Sequence, residues 1–217
     1  MKAIKWMCWG IIVISLTGSS LSLASPKTRP LQSDKLVFCE TYSRQEILTR
    51  LQTWDPLFSF IEVDQGDPES SRIGHCPKAK LDQLLDYVRS EPFKNRVPAD
   101  LIVVAGTEDQ AEKVPVYAIR RSGSDQSFPS KKDIRKVEVD YYEPNDSYML
   151  TITFSDSATG KWAALTKKNI GKDIAVLYND RVLSAPRVRD EIKGGKCSIS
   201  GNYTEQDVLE LKQILEH

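Results

Sequence analysis

The sequence predicts an α+β fold: a largely antiparallel sheet with helices packed on one face, arranged in two lobes. Three observations carry this. Apolar and polar residues alternate along 137–141 and again along 148–154, with Glu143-Pro144-Asn145-Asp146 between them, which is a hairpin pattern. A second pair of apolar runs, 174–178 and 182–183, flanks Asn179-Asp180, whose side chains tolerate the left-handed backbone of a tight turn. Helical spacings separate these runs, and strands joined as hairpins rather than through helices give segregated layers.

The elements follow in chain order. Residues 36–39 are apolar and read as a first strand. Ser43 and Glu46 stand at capping-box spacing, and Ile47, Leu48, Leu51 and Trp54 fall on one helical face, with Pro56 as the stop and Trp54 as a core residue. Residues 58–63 alternate and predict a strand, whereas 64–74 hold Gly66, Pro68, Ser70 and Ser71 and predict a loop. Pro77 suits the first turn of a helix that would bury Leu81, Leu84, Leu85 and Val88. Runs 101–104 and 114–119 read as buried strands, and the polar stretch 122–132 as a loop within the fold. After the first hairpin, Asp156 can cap a helix that turns Ala158, Trp162 and Leu165 inward and ends at Gly171. Pro186 closes the second hairpin, glycines bracket a short strand at 197–200, and Thr204 with Asp207 opens a last helix burying Val208, Leu211, Ile214 and Leu215. The sheet face opposite the helices would be partly open, which is where a partner could bind.

Composition bounds the function. The chain has 217 residues, 40% hydrophobic and 28% charged, which suits one domain of two lobes. Thirty basic residues balance thirty acidic ones, against the basic excess of a nucleic-acid binder. Lys2 and Lys5, the apolar run 6–16 and Ser22-Leu23-Ala24 make a signal peptide with cleavage expected after Ala24. The alternative is an uncleaved anchor, because 6–24 carry no charge, but the Ser, Thr and Gly of its second half favour cleavage. Export to the periplasm is the expectation, with no membrane span after cleavage. The organisation expected is a signal peptide at 1–24, a flexible leader at 25–34, an N-terminal lobe at 35–132 and a second lobe at 133–217.

No catalytic, cofactor-binding or metal constellation is expected. His75-Cys76 invites a nucleophile or metal reading, but adjacent residues rarely aim at one point and no paired ligand spacing supports it. Asp64, Asp67 and Glu69 lack the bidentate Glu of a calcium loop and read as solvated acids. Lys167, Lys168 and Lys172 suit the C-terminus of a helix. Three cysteines remain after cleavage, giving either one disulfide and a free thiol or three buried thiols. Cys39 and Cys76, both in the N-terminal lobe, are the favoured pair.

Several landmarks between 134 and 215 occur in a recognisable order: Asn169-Ile170-Gly171-Lys172, Ser184-Ala185-Pro186, and Gly194-Gly195 before Ile199-Ser200-Gly201. At that spacing they resemble the head of the first periplasmic domain of SecD/SecDF, the membrane component that assists Sec-dependent protein export. Leu36-Val37-Phe38-Cys39-Glu40-Thr41-Tyr42 and the lobe through Arg121 are more weakly similar to the rest of that domain. The resemblance implies a SecDF periplasmic head-like second lobe and a non-enzymatic role: binding polypeptide, or a component of the Sec translocon, outside the membrane. It does not bring the pumping function, which depends on transmembrane helices that are not found here before His217. The alternative is a repurposed envelope interaction module, an inhibitor or assembly factor unrelated to export.

Overall fold

A computed structural model describes residues 36–52, 54–107, 112–121, 128–143 and 146–216. The signal peptide, the Ala24 cleavage site and the leader lie outside these residues. Among the described residues no helix is long and apolar enough to cross a membrane.

The α+β fold is built from two antiparallel sheets. The first contains β1 (Val37–Thr41), β2 (Glu62–Val63), β3 (Arg72–Pro77), β4 (Leu101–Ala105), β5 (Lys113–Arg120), β8 (Ile174–Tyr178) and β9 (Arg181–Ser184). The second has the order β10-β7-β6, from β6 (Ile134–Tyr142), β7 (Ser147–Phe154) and β10 (Lys196–Tyr203). Asn179 and Asp180 both take positive φ in the β8–β9 turn, as their side chains allow.

The first sheet is not flat. β5 has β4 along one edge, with β3 and then β1 along the other, and β1 leads through β8 to β9. The sheet curls until β9 meets β4, through a parallel bridge Gly106–Val182 and a 3.2 Å hydrogen bond from the Thr107 N–H to the Val182 carbonyl. Antiparallel pairing around five strands returns the last parallel to the first, so that hand of bridge is the one this closure requires. A small apolar cluster fills the curl, with Val104, Ile119, Ala175, Leu177 and Val182 buried. The expected open face is therefore closed in this sheet. It survives in the second, where Lys136, Asp140, Ser198 and Ser200 are exposed on the face away from the core.

Helices cover the other faces. α1 (Arg44–Leu51), α2 (Leu57–Phe60), α3 (Leu81–Arg89) and α4 (Glu91–Lys94) bury Ile47, Leu57, Leu84 and Phe93 against β3, β4 and β5. α5 (Asp156–Lys168) and α6 (Glu205–Glu216) join the largest core, where Leu36, Phe38, Ile174 and Val176 of the first sheet meet Leu150, Ile152, Phe154 and Ile199 of the second. The capping boxes form as read: Ser43 Oγ accepts from the Glu46 N–H at 3.2 Å, and Thr204 exchanges the same contacts with Asp207.

Four expectations are corrected. α1 stops at Leu51, where Gln52 turns to positive φ, so Trp54 leaves the helical face and is 71% exposed. Residues 57–60 are helical, not extended, because buried Asp55 accepts the Leu57 N–H at 2.9 Å in the manner of a cap. The loop expected at 64–74 gives way to β3 at Arg72, which runs through Pro77, so α3 begins only at Leu81 after a 3-10 turn. The three thiols are free. Cys39 precedes Glu40, which pairs with Arg120 of β5, while Cys76 pairs with Val114 farther along the same edge of β5. At ~3.3 Å per residue the two are roughly 20 Å apart along the sheet, far beyond disulfide reach.

Candidate functional site

The run after β9 folds back beside the end of α5. Ile174 donates its N–H to the Pro186 carbonyl at 3.1 Å, and Val188 exchanges hydrogen bonds with Gly171 and Lys172 at 2.9 Å. Asp173 fixes this run to distant chain. Its Oδ1 accepts from Arg187 Nε at 2.7 Å, while its Oδ2 accepts from the Ser71 N–H at 2.7 Å and Ser71 Oγ at 2.9 Å. Its backbone carbonyl takes Thr41 Oγ1 at 2.8 Å, and the Arg187 guanidinium also reaches Asp67 at 2.8 Å. Asp173 and Ser71 are both buried. The Asp173 carboxylate beside it holds the Arg187 guanidinium firmly in its charged form, against the opposing effect of burial.

Between this run and β10 lies a groove of about 420 Å³. Trp162 of α5 forms its floor, held in place by a 3.1 Å hydrogen bond from its indole N–H to the Lys196 carbonyl. Ile174, Val176, Val188 and Cys197 line the walls, and Arg187, Arg189, Asp190, Ile192, Lys196 and Ser198 form the rim. Ile192 is 38% exposed although its N–H is tied to Thr166 Oγ1 at 2.9 Å, so an apolar side chain is presented at the mouth from a fixed backbone. Gly195, at φ +63°, lets the chain pass against α5, since a Cβ there would meet Thr159 Oγ1 at 2.4 Å. The groove is thus apolar inside, with more cationic than anionic groups at its rim.

The lining of the groove includes one thiol, Cys197. Burial pushes the Cys197 thiol up to about 12, leaving it protonated and poorly nucleophilic at neutral pH. The Cys39 thiol is raised by burial to about 11, with nearby Arg121 only partly offsetting this, and burial also raises Cys76. His75 turns to Asp64, which lies 2.9 Å from its Nδ1, and neighbours on a strand such as His75 and Cys76 point to opposite faces. Among the described residues no three His, Cys, Asp or Glu side chains converge as a metal-holding group.

Of the three acids read as solvated, Glu69 is exposed, while the other two are ion-pair partners. Asp64 is shared by Arg72 and His75, and Asp67 is taken by Arg187. Of the three lysines near the end of α5, Lys168 reaches across to Glu40 of β1 at 2.6 Å, a long-range contact beyond the helix end. Trp162, Asp173 and Arg187 carry the groove and carry no motif. Their partners lie 34, 102 and 14 residues away, so no local spacing announces them.

Residues 108–217 match the family model of the SecDF P1 head subdomain, which is more than half of the sequence. The chain belongs to that family. The matched span holds every residue that forms the groove, and it starts upstream of residue 133, taking in β5. Among curated relatives, the protein translocase subunit SecD of Sebaldella termitidis is 26% identical over 138 residues, 58% of this chain and 34% of its own. That of Acidaminococcus fermentans is 36% identical over 136 residues, 58% of this chain and 32% of its own. The chain spans about a third of the length of these relatives. A solved structure of SecDF, described as a membrane component that enhances protein export, aligns with a TM-score of 0.42 at 18% identity, over 83% of this chain and 61% of that one.

Proposed function

We propose that this head-bearing domain acts outside the cytoplasmic membrane as a non-enzymatic binding protein in protein export, holding polypeptide, or a component of the Sec translocon, in the groove beside β10. The observation that carries the reading is the groove itself: an apolar floor and walls, an exposed isoleucine at the mouth, and a position wholly within the span shared with the SecDF head. An extended segment suits it for two physical reasons. Among the described residues β10 pairs with β7 alone in its sheet, so it is an edge to which a strand can add, and apolar side chains of that strand would reach the Trp162 floor. A signal peptide ending at Ala24 would deliver the domain to the periplasm, where unfolded chains emerge.

The test is a photocrosslinking amino acid placed at Ile192, with a second at Gln213, exposed on α6 and not part of the groove, as control. Adducts to a secretory chain or to a translocon subunit at Ile192 alone are expected. No adduct at either position, together with normal export in a strain lacking the gene, would remove the reading. Adducts only to an envelope protein outside the Sec machinery would favour a repurposed interaction module instead.

A further inference from the structure

The other edge of the second sheet is a different surface. Among the described residues, β6 is a nine-residue strand that pairs with β7 alone, and its other main packing is with α6, on the core face. Its free edge offers backbone N–H and C=O groups, which a sheet edge leaves available for pairing with another chain. Natural edges discourage such pairing with charge, and β6 carries three in alternation on its outer face: Lys136, Glu138 and Asp140. Their order matters. In an antiparallel pair of two copies centred on Glu138, Lys136 of each copy stands opposite Asp140 of the other. Val137 likewise stands opposite the partner copy's Val139 on the core face. Only the central Glu138 meets its own kind, and each Glu138 then has a Lys136 of the other copy as diagonal neighbour.

A second observation points the same way. Tyr141, on the same strand, is 51% exposed although it is a large aromatic, with its ring 5.2 Å from Tyr148 at the end of the edge.

We propose that β6 is a self-pairing edge: two copies of this chain join through it into a six-stranded sheet with a twofold axis at Glu138. The pairing is antiparallel and closed, so it stops at two copies and leaves both grooves beside β10 free. It does not depend on what the grooves bind. The dimer is weak and concentration-dependent, because one pair of short strands covers less area than a permanent interface requires.

Sedimentation velocity on the purified chain over a concentration series tests this. The expected result is a reversible monomer–dimer shift. Lys136→Asp and Asp140→Lys should each weaken dimerisation about tenfold, because each replaces two attractive cross-strand pairs with two repulsive ones. Mixing the two variants should restore it, since every outer pair then joins opposite charges, and Glu138→Gln alone should tighten it. Circular dichroism of each variant reports retained folding, which exposed strand positions permit. A chain that stays monomeric throughout the series would overturn the proposal, as would a dimer indifferent to both charge reversals or a mixture no more associated than its components.

Discussion

Replacing Asp173 by alanine should loosen the attachment of the groove to the rest of the domain. The carboxylate is buried and receives three hydrogen bonds, two from Ser71 and one from Arg187. A hydrogen bond to a charged group contributes ~1.5–3 kcal/mol, and the three share one acceptor, so they do not add. Removing one partner of a buried pair costs ~3–5 kcal/mol when the other charge stays buried. The Arg187 side chain is 31% exposed and keeps Asp67, so the lower end applies. The expected loss is about 3 kcal/mol, or roughly 10 °C in Tm for a domain of this size. Urea denaturation followed by circular dichroism measures it, and a double-mutant cycle with Arg187→Ala should return a coupling of about 1 kcal/mol or more. Arg187→Ala alone should cost less than Asp173→Ala, because it leaves the Ser71 contacts intact. A loss under 1 kcal/mol for Asp173→Ala, or additive single effects, would refute the reasoning.

Other substitutions test separate links. Ser43→Ala removes the α1 cap and should lower stability by about 1 kcal/mol, read as a shift in urea midpoint with unchanged slope. Gly106→Ala places a Cβ 2.9 Å from both Pro115 and Tyr117 of β5 and 3.3 Å from the Val182 carbonyl of β9, and should cost ~1–3 kcal/mol by loosening the closure of the curl, with amide exchange in β9 rising before that in β7. Burial alone would raise the Asp133 carboxyl, but hydrogen bonds from Ser130 and the contact with Lys161 outweigh it and hold it below the ordinary range. Its stabilisation is therefore present above the unfolded pKa of about 4 and lost as pH falls through the lower folded value. Asp133→Asn should accordingly narrow the stability difference between neutral pH and pH 3, and an unchanged difference would contradict the assignment. Iodoacetamide should label the native thiols slowly and the urea-unfolded chain fast, with identical gel mobility with and without reductant; a faster-migrating oxidised band would restore the Cys39–Cys76 bridge.

Local signals were legible and distant ones were not. Ser43 with Glu46, Thr204 with Asp207 and the Asn179-Asp180 turn are decided within four residues of chain, and each forms as its spacing indicates. β3 escaped because a strand beginning at Arg72 depends on pairing with distant β5, with Pro77 paired to Lys113, as well as with β2. Trp54 was misplaced because the end of α1 is set by the backbone turn at Gln52 and not by Pro56. The division of the chain at 132 and 133 describes sequence order better than packing, since β8 and β9 complete the first sheet. For the candidate site, the landmarks at 169–172, 184–186 and 194–201 are turns and a hairpin that lie in or beside the groove. The tryptophan floor and the Asp173 network needed the tertiary fold.

The pairing of β1 with β8 also sets the order in which this molecule can be made. Val37 to Glu40 register against Leu177 to Ile174, so the earliest strand finds that neighbour only after some 140 more residues have followed it. Its other neighbour among the described residues, β5, registers with it at Arg120 and Ile119, and the Tyr42 N–H just past the strand reaches the Ala118 carbonyl. Contacts of such separation are slow to form, because a long loop must close before they reward it. A chain delivered from its N-terminus therefore presents β1 as an open edge for most of its passage. Folding of the curl becomes a late, single event that waits for the hairpin around Asn179, and a fragment ending near residue 132 has no means of completing it.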